Sequence, residues 1–288
     1  MDTATRDALI AILDFHVAAG IDVALDDVAH DRFAEGDAIP AAAIETAPPP
    51  PSEPRLREAA RAESPAREDR RAEPPRALPR AATAPPDEIA ADARAQARTA
   101  MSLAELEAIV AAFDGCALKA TAKRLAFADG RPGSRVMLVG EAPGGEEDRA
   151  GKPFVGRAGQ LLDVMLAAIG LGRGDVYIAN VVPWRPPGNR TPTPQEVAIC
   201  LPFIQRQIEL ARPEILVTVG ASSTQTLTGT KDGIMRARGR WLAYGGEGIA
   251  LRVLPMLHPA YLLRQPLHKR LAWRDLRTLR RALDAAPS

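Results

Sequence analysis

The chain has 288 residues, is 46% hydrophobic and carries a formal charge of +1, enough to bury one substantial core in one or two domains. No apolar run reaches about 18 residues, so no transmembrane helix is expected. The acid-bearing start "MDTATRDALIAILDFHVAAG" argues against a secretory signal, and two cysteines exclude a disulfide framework, so a cytoplasmic protein is expected. The charge is uneven. Residues 100–288 hold 25 Lys+Arg against 17 Asp+Glu, and residues 1–99 hold 12 against 19. A basic C-terminal part is compatible with a polyanionic partner.

Residues 4–19 place Leu9, Ile12, Leu13 and His16 at helical spacing, and an N-terminal helical segment is assigned to 1–35. From 36 to 98 Pro, Ala, Arg and Glu dominate and aromatics vanish, which predicts a disordered linker. The folded domain is predicted over 99–288. It opens on "SLAELEAIVAAF" (102–113), a helix capped by Ser102 with Glu105 at capping-box spacing. Strands are predicted at 135–140, 176–182, 214–220 and 249–257. Helices are predicted at 157–170, 194–211, 221–228 and 269–284. Short apolar strands alternating with helices indicate an α/β fold with a parallel sheet covered on both faces. Ligands of such sheets bind beyond the C-terminal strand ends, where the loops at 140–156, 180–190 and 257–266 fall.

The first of these loops, "GEAPGGEEDRAGKPFVGRAG" (140–159), invites a phosphate-binding reading and fails it. Counting back from Gly151–Lys152, the first Walker glycine should be residue 146, which is Glu146, and Pro153 stands where Ser or Thr is needed. The acids Glu146, Glu147 and Asp148 would repel a pyrophosphate. Phe154, between Gly151 and Gly156, suits a flat uncharged ligand by stacking, or else plugs the core beneath the loop.

"VGEAPGGEEDRAGKPFVGRAGQLLD", "VYIANVVPWRPPGNRTPTPQE" and "LHPAYLLRQP" together resemble the family 4 uracil-DNA glycosylases, in the family's order and spacing, over about residues 110–285. The resemblance implies a three-layer α/β/α fold around a four-stranded parallel sheet. It also implies a monofunctional glycosylase that hydrolyses the N-glycosidic bond of a deoxyuridine flipped out of DNA, in base excision repair. Uracil-containing DNA is then the partner. The protein is expected to be a monomer away from membranes, and the N-terminal helix is free to bind a protein partner.

By the same resemblance, Gly140, Glu141, Ala142, Glu147, Phe154, Asn180 and His258 form the uracil pocket, with Glu141, Asn180 and His258 catalytic. A carboxamide offers the donor and acceptor that uracil's O4 and N3–H need. A histidine can donate to O2 as charge develops there. Glu147 matches the acid that crowds C5 against thymine's methyl. Outside the resemblance, a strand-end asparagine commonly makes an Asx turn, and a lone histidine is more often structural. Arg185, Asn189 and Arg190 are offered to the DNA backbone. Leu262, Leu263 and Arg264 are candidate wedges, with no choice among them. Lys269, Arg270, Arg274, Arg277, Arg280 and Arg281 suit phosphates or a solvated helix face equally.

The family holds a [4Fe–4S] cluster on four cysteines. Here the matching positions are Phe113, Cys116, Trp184 and Cys200. Phe and Trp cannot ligate iron, so the cluster is expected to be lost and no metal or cofactor to be present. Ala142 stands where family 1 enzymes carry a water-positioning aspartate, so water activation has no assigned side chain. The alternative function is a non-catalytic or covalently trapping uracil-DNA binder. Intact Glu141, Asn180 and His258 argue against the first form, and the lack of a basic insertion bearing an extra histidine argues against the second.

Overall fold

The computed structural model describes residues 85–246 and 249–285; the helix expected at 4–19 and the linker before residue 85 lie outside them. The linker was expected to run to 98, but a helix, α1, occupies Pro86–Thr99. Pro86 starts it, Asp87 and Glu88 occupy its first turn and Arg98 its last, each suited to its end of the helix dipole. Its buried face is made of alanine, with Ala93 and Ala97 closed against helix α6 (Pro194–Ala211). Arg206 of α6 donates to the Ala100 carbonyl at 2.7 Å, fixing the end of α1. Apart from half-buried Ile89 the packed face has no large aliphatic, so its periodic signal is weak, which is why composition alone hid it.

Helix α2 (Leu103–Ala112) begins as its spacing predicts, with the Ser102 hydroxyl accepting from the Glu105 amide at 3.2 Å. The Glu105 carboxylate takes the Met101 amide at 2.8 Å. A single turn, α3 (Leu118–Thr121), leads to the edge strand β1 (Asp129–Gly130).

Then come β2 (Val136–Gly140), α4 (Gly145–Ala150), α5 (Arg157–Ala167), β3 (Val176–Asn180), α6 and β4 (Ile215–Val219). The chain continues through α7 (Ala221–Thr228), α8 (Ile234–Ala237), β5 (Leu242–Ala243), β6 (Arg252–Met256), α9 (Pro259–Arg264) and α10 (Lys269–Asp284). The sheet order is β1-β3-β2-β4-β6-β5. The central four strands are parallel, as expected, and two antiparallel two-residue strands flank them, making six.

The four parallel strands are apolar on both faces because both are covered. Met137 and Val139 join the core with α1, α2 and α6, whereas Val136 and Leu138 join the core with α5 and α10. Central β2 pairs with β3 on one side and β4 on the other. The chain therefore changes direction across the sheet there, opening a crevice at the C-terminal strand ends.

Candidate active site

The last residues of β2 and β3, Gly140 and Asn180, are register partners. Pairing runs on past the strand, with Val181 N–H donating to the Gly140 carbonyl and Val182 N–H to the Glu141 carbonyl, both at 3.0 Å. Gly220 follows β4, and His258 follows β6 by two residues. These ends meet at a cleft of about 1110 Å³ lined by Glu141, Ala142, Glu147, Phe154, Asn180 and His258, among others. Six of the seven sequence-derived pocket residues are thus brought together. Gly140 acts by what it lacks: a Cβ there would lie 2.5 Å from Asn180 Oδ1 and 2.6 Å from the Phe154 ring.

Glu147 is held as a loop brace. Its Oε1 accepts from the Val155 and Gly156 amides at 3.0 and 2.9 Å, and its Oε2 from the Gly144 amide at 3.1 Å. A carboxylate with three amide donors is fixed in place. Two of its backbone partners, Val155 and Gly156, directly follow Phe154, whose ring stacks on His258 with centroids 5.5 Å apart. Phe154 is 4% exposed and belongs to a core cluster while also lining the cleft, so one side chain both fills the core beneath the loop and borders the cleft.

His258 caps α9, its Nδ1 accepting from the Ala260 amide at 3.1 Å. With Nδ1 as acceptor, the neutral ring carries its hydrogen on Nε2. Burial, helped by the Arg264 charge, pushes the imidazole down to about 4, against a smaller opposing effect of Glu147. Burial also pushes the Glu141 carboxyl up, partly offset by a hydrogen bond with Thr191. Among the described residues, two buried side-chain oxygens have no hydrogen-bond partner: Glu141 Oε1 and Asn180 Oδ1. Buried polar atoms are nearly always paired, so two orphans in one cleft indicate groups that await a ligand.

The candidate DNA contacts divide. Arg185 donates to Asn189 Oδ1 at 2.7 Å, and Asn189 and Arg190 line the cleft. Arg190 is bidentate on Glu196, which it holds down at about 2. It would meet a phosphate only by sharing that pair. Leu262 is 0% exposed and packed in the core, which corrects its candidacy as a wedge: its face of α9 is turned inward. Leu263 is 38% exposed, and Arg264 is exposed and lines the cleft. Of the basic residues at the end of the chain, Lys269 is buried and Arg280 is paired with Asp284; Arg270, Arg274, Arg277 and Arg281 are exposed, with α10 turning its apolar side to the core.

Sequence reasoning missed three residues near this site. Thr191 lines the cleft with Glu141 and lowers its carboxyl against the effect of burial. Arg173 grips the backbone of the Phe154 loop from outside. Leu267, 83% exposed, sits on a turn beside His268, whose Nδ1 is 2.6 Å from the hydroxyl of cleft-lining Tyr261. Only Leu267 left a local signal, a single apolar residue within "RQPLHKR".

The four positions matching the family's cluster lie in one apolar core: Phe113, Cys116, Trp184 and Cys200 are each no more than 3% exposed. Phe113 meets Phe203 edge to face, and the two sulfurs are 3.9 Å apart. The hydrogen bond to Cys116 and burial push the Cys200 thiol well up. Two sulfurs and two buried aromatics are not a donor set for a four-thiolate cluster. Among the described residues, no helix is long and apolar enough to cross a membrane.

The chain is similar to known proteins over most of its folded part. The family described as the Uracil DNA glycosylase superfamily matches residues 127–277. A type-4 uracil-DNA glycosylase of Thermotoga maritima is 45% identical over 153 residues, covering 52% of this chain and 77% of the relative. Those of Saccharolobus solfataricus and Pyrobaculum aerophilum are 38% identical over 177 residues and 40% over 174. They cover 60% and 58% of this chain and 82% and 87% of the relatives. The chain belongs to the uracil-DNA glycosylase superfamily.

Proposed function

We propose that this protein is a type-4 uracil-DNA glycosylase that hydrolyses the N-glycosidic bond of a deoxyuridine flipped out of DNA. The observation that carries the reading is the convergence of orphaned Asn180 Oδ1 and Glu141 Oε1 with Phe154 and a neutral His258 in one cleft. Asn180 accepts uracil N3–H through Oδ1 and donates to O4 through Nδ2, while cytosine presents the opposite pattern. Phe154 offers a face to the ring. The braced Glu147 stands against a C5 methyl. A methyl costs only about 1–3 kcal/mol by lost contact, so rejection of thymine relies on a side chain that cannot yield.

As the bond from C1′ to N1 breaks, its electron pair passes to the base and gathers at O2. The Nε2–H of His258 donates there. Water adds to C1′ of the oxocarbenium-like sugar and loses a proton, and the base takes up a proton on release. Glu141, with one oxygen free and its carboxyl pushed up by burial, is the group beside that water. Among the described residues no lysine lines the cleft, in keeping with hydrolysis rather than Schiff-base chemistry.

The test is to incubate the protein with a uracil-containing oligonucleotide and then treat with alkali. Strand scission is expected. Tight binding with an intact strand would favour a non-catalytic binder, and a covalent complex would favour a trapping one.

The protein works without the iron–sulfur cluster of its relatives, because Phe113 and Trp184 fill that volume with packing. Protein purified anaerobically is then expected to lack an absorbance band near about 400 nm, and such a band would contradict this. The wedge is apolar and comes from Leu263 and Leu267 at the end of α9 and the turn after it, beside exposed Arg264 and Arg270. Leu267→Ser is expected to slow excision from duplex DNA about tenfold and to leave single-stranded DNA within about twofold. Equal slowing on both substrates would remove the wedge.

A further inference from the structure

Phe154 has a φ of 53°, in the left-handed region, where a bulky side chain is strained and persists only if its surroundings over-determine it. One cation outside the cleft supplies that determination. Arg173, on the turn before β3, donates through Nη2 to the Phe154 carbonyl and through Nη1 to the Pro153 carbonyl at 3.3 Å. The same guanidinium is anchored by Asp129 at 2.5 Å and Asp163 at 3.0 Å. Helix α5 closes the other side of the Phe154 carbonyl, where a Cβ on Gly159 would lie 1.8 Å from its oxygen. The carbonyl is therefore caught between a glycine that leaves room and an arginine that supplies the donor. Only a planar fork meets two carbonyls and two carboxylates at once; a lysine is a point charge.

We infer that Arg173 is a positioning residue for uracil excision, acting on the bound base through the backbone of Phe154. It lines no part of the cleft. The inference rests on Phe154 being the stacking face proposed above.

A double-mutant cycle tests it. Arg173→Met is expected to lower the single-turnover rate at saturating DNA about tenfold, with unchanged affinity for a uracil-free duplex. In a Phe154→Ala background the same substitution is expected to change the rate by less than about twofold, since the side chain it positions is already gone. Arg173→Lys keeps a charge beside Asp129 and Asp163 but loses the fork. It is expected to melt near the wild-type temperature and still excise more slowly. An equal loss in both backgrounds would assign Arg173 a general structural role and overturn the inference. So would a wild-type rate in Arg173→Met or, if that variant does not fold, in Arg173→Lys. Wild-type excision by Phe154→Ala is a separate failure: it removes the stacking reading itself, and this inference with it.

Discussion

Asn180→Leu is expected to lower the single-turnover rate of uracil excision about a thousandfold while leaving the melting temperature unchanged or raised. The carboxamide is 4% exposed at the end of β3, and its Oδ1 has no partner in the folded chain. Leucine has nearly its shape and no polar atoms. In the complex, uracil N3–H and O4 would then both be buried unpaired, at about 1–3 kcal/mol each, and the middle of that range for two groups is about a thousandfold. In the free protein the sign reverses. An orphaned buried acceptor destabilises the fold, so removing it costs no existing hydrogen bond. Stopped-time excision assays and thermal melting of the same samples check both halves. A rate near wild type would show that Asn180 does not read the base. A large fall in melting temperature would show that the rate loss came from the fold.

The second large effect is expected at His258. His258→Ala should lower the excision rate about a hundred- to a thousandfold, the usual cost of removing one donor aimed at developing negative charge. The protonation state gives a sharper check than the size. The imidazole lies at about 4, so it stays neutral from pH 8 to pH 5 with Nε2–H available throughout. The pH–rate profile is therefore expected to have no acid limb centred near 6.5, where an ordinary histidine titrates. An acid limb that survives in His258→Gln belongs to Glu141, whose carboxyl burial pushes up. Stability follows the same group. Between pH 6.5 and about 4 the unfolded chain binds a proton that the folded imidazole refuses. His258 therefore makes the folded protein lose stability as pH falls across that window, and the loss should be smaller in His258→Gln. A rate that fell with a midpoint near 6.5 in the wild type would mean that a cationic imidazole does not serve and that the neutral one titrates normally.

Parts of this molecule were legible from local pattern. The parallel strands were placed within a few residues, and β2 and β3 end at Gly140 and Asn180, where the sequence put the site. Apolar runs and the punctuation between them are local properties, and strand ends are where such sheets hold ligands. The alanine face of α1 was not legible, because alanine carries no strong periodic signal and its value there is close approach to α6. The edge strands β1 and β5 are two residues long, too short for any alternation to show.

The site divides in the same way. Residue type and order in three motifs identified Glu141, Asn180, His258 and Phe154, since hydrogen-bonding capacity and aromaticity belong to the side chain wherever it stands. Which side chains face the cleft was set by packing. Leu262 and Leu263 are neighbours of the same type, yet one turn of α9 buries the first and exposes the second. Glu147 was visible as an acid, but the three amides that fix it converge from Gly144, Val155 and Gly156 only when the loop closes. Arg173 reaches Phe154 across 19 residues, and no spacing rule announces that contact. The sequence by itself determined the fold class, the family and the chemical groups on offer. The tertiary structure alone decided the neutral state of His258, the orphaned oxygens of Glu141 and Asn180, and the strained backbone of Phe154. Desolvation, hydrogen-bond closure and backbone strain depend on which atoms surround a group, and distant segments of the chain supply those atoms.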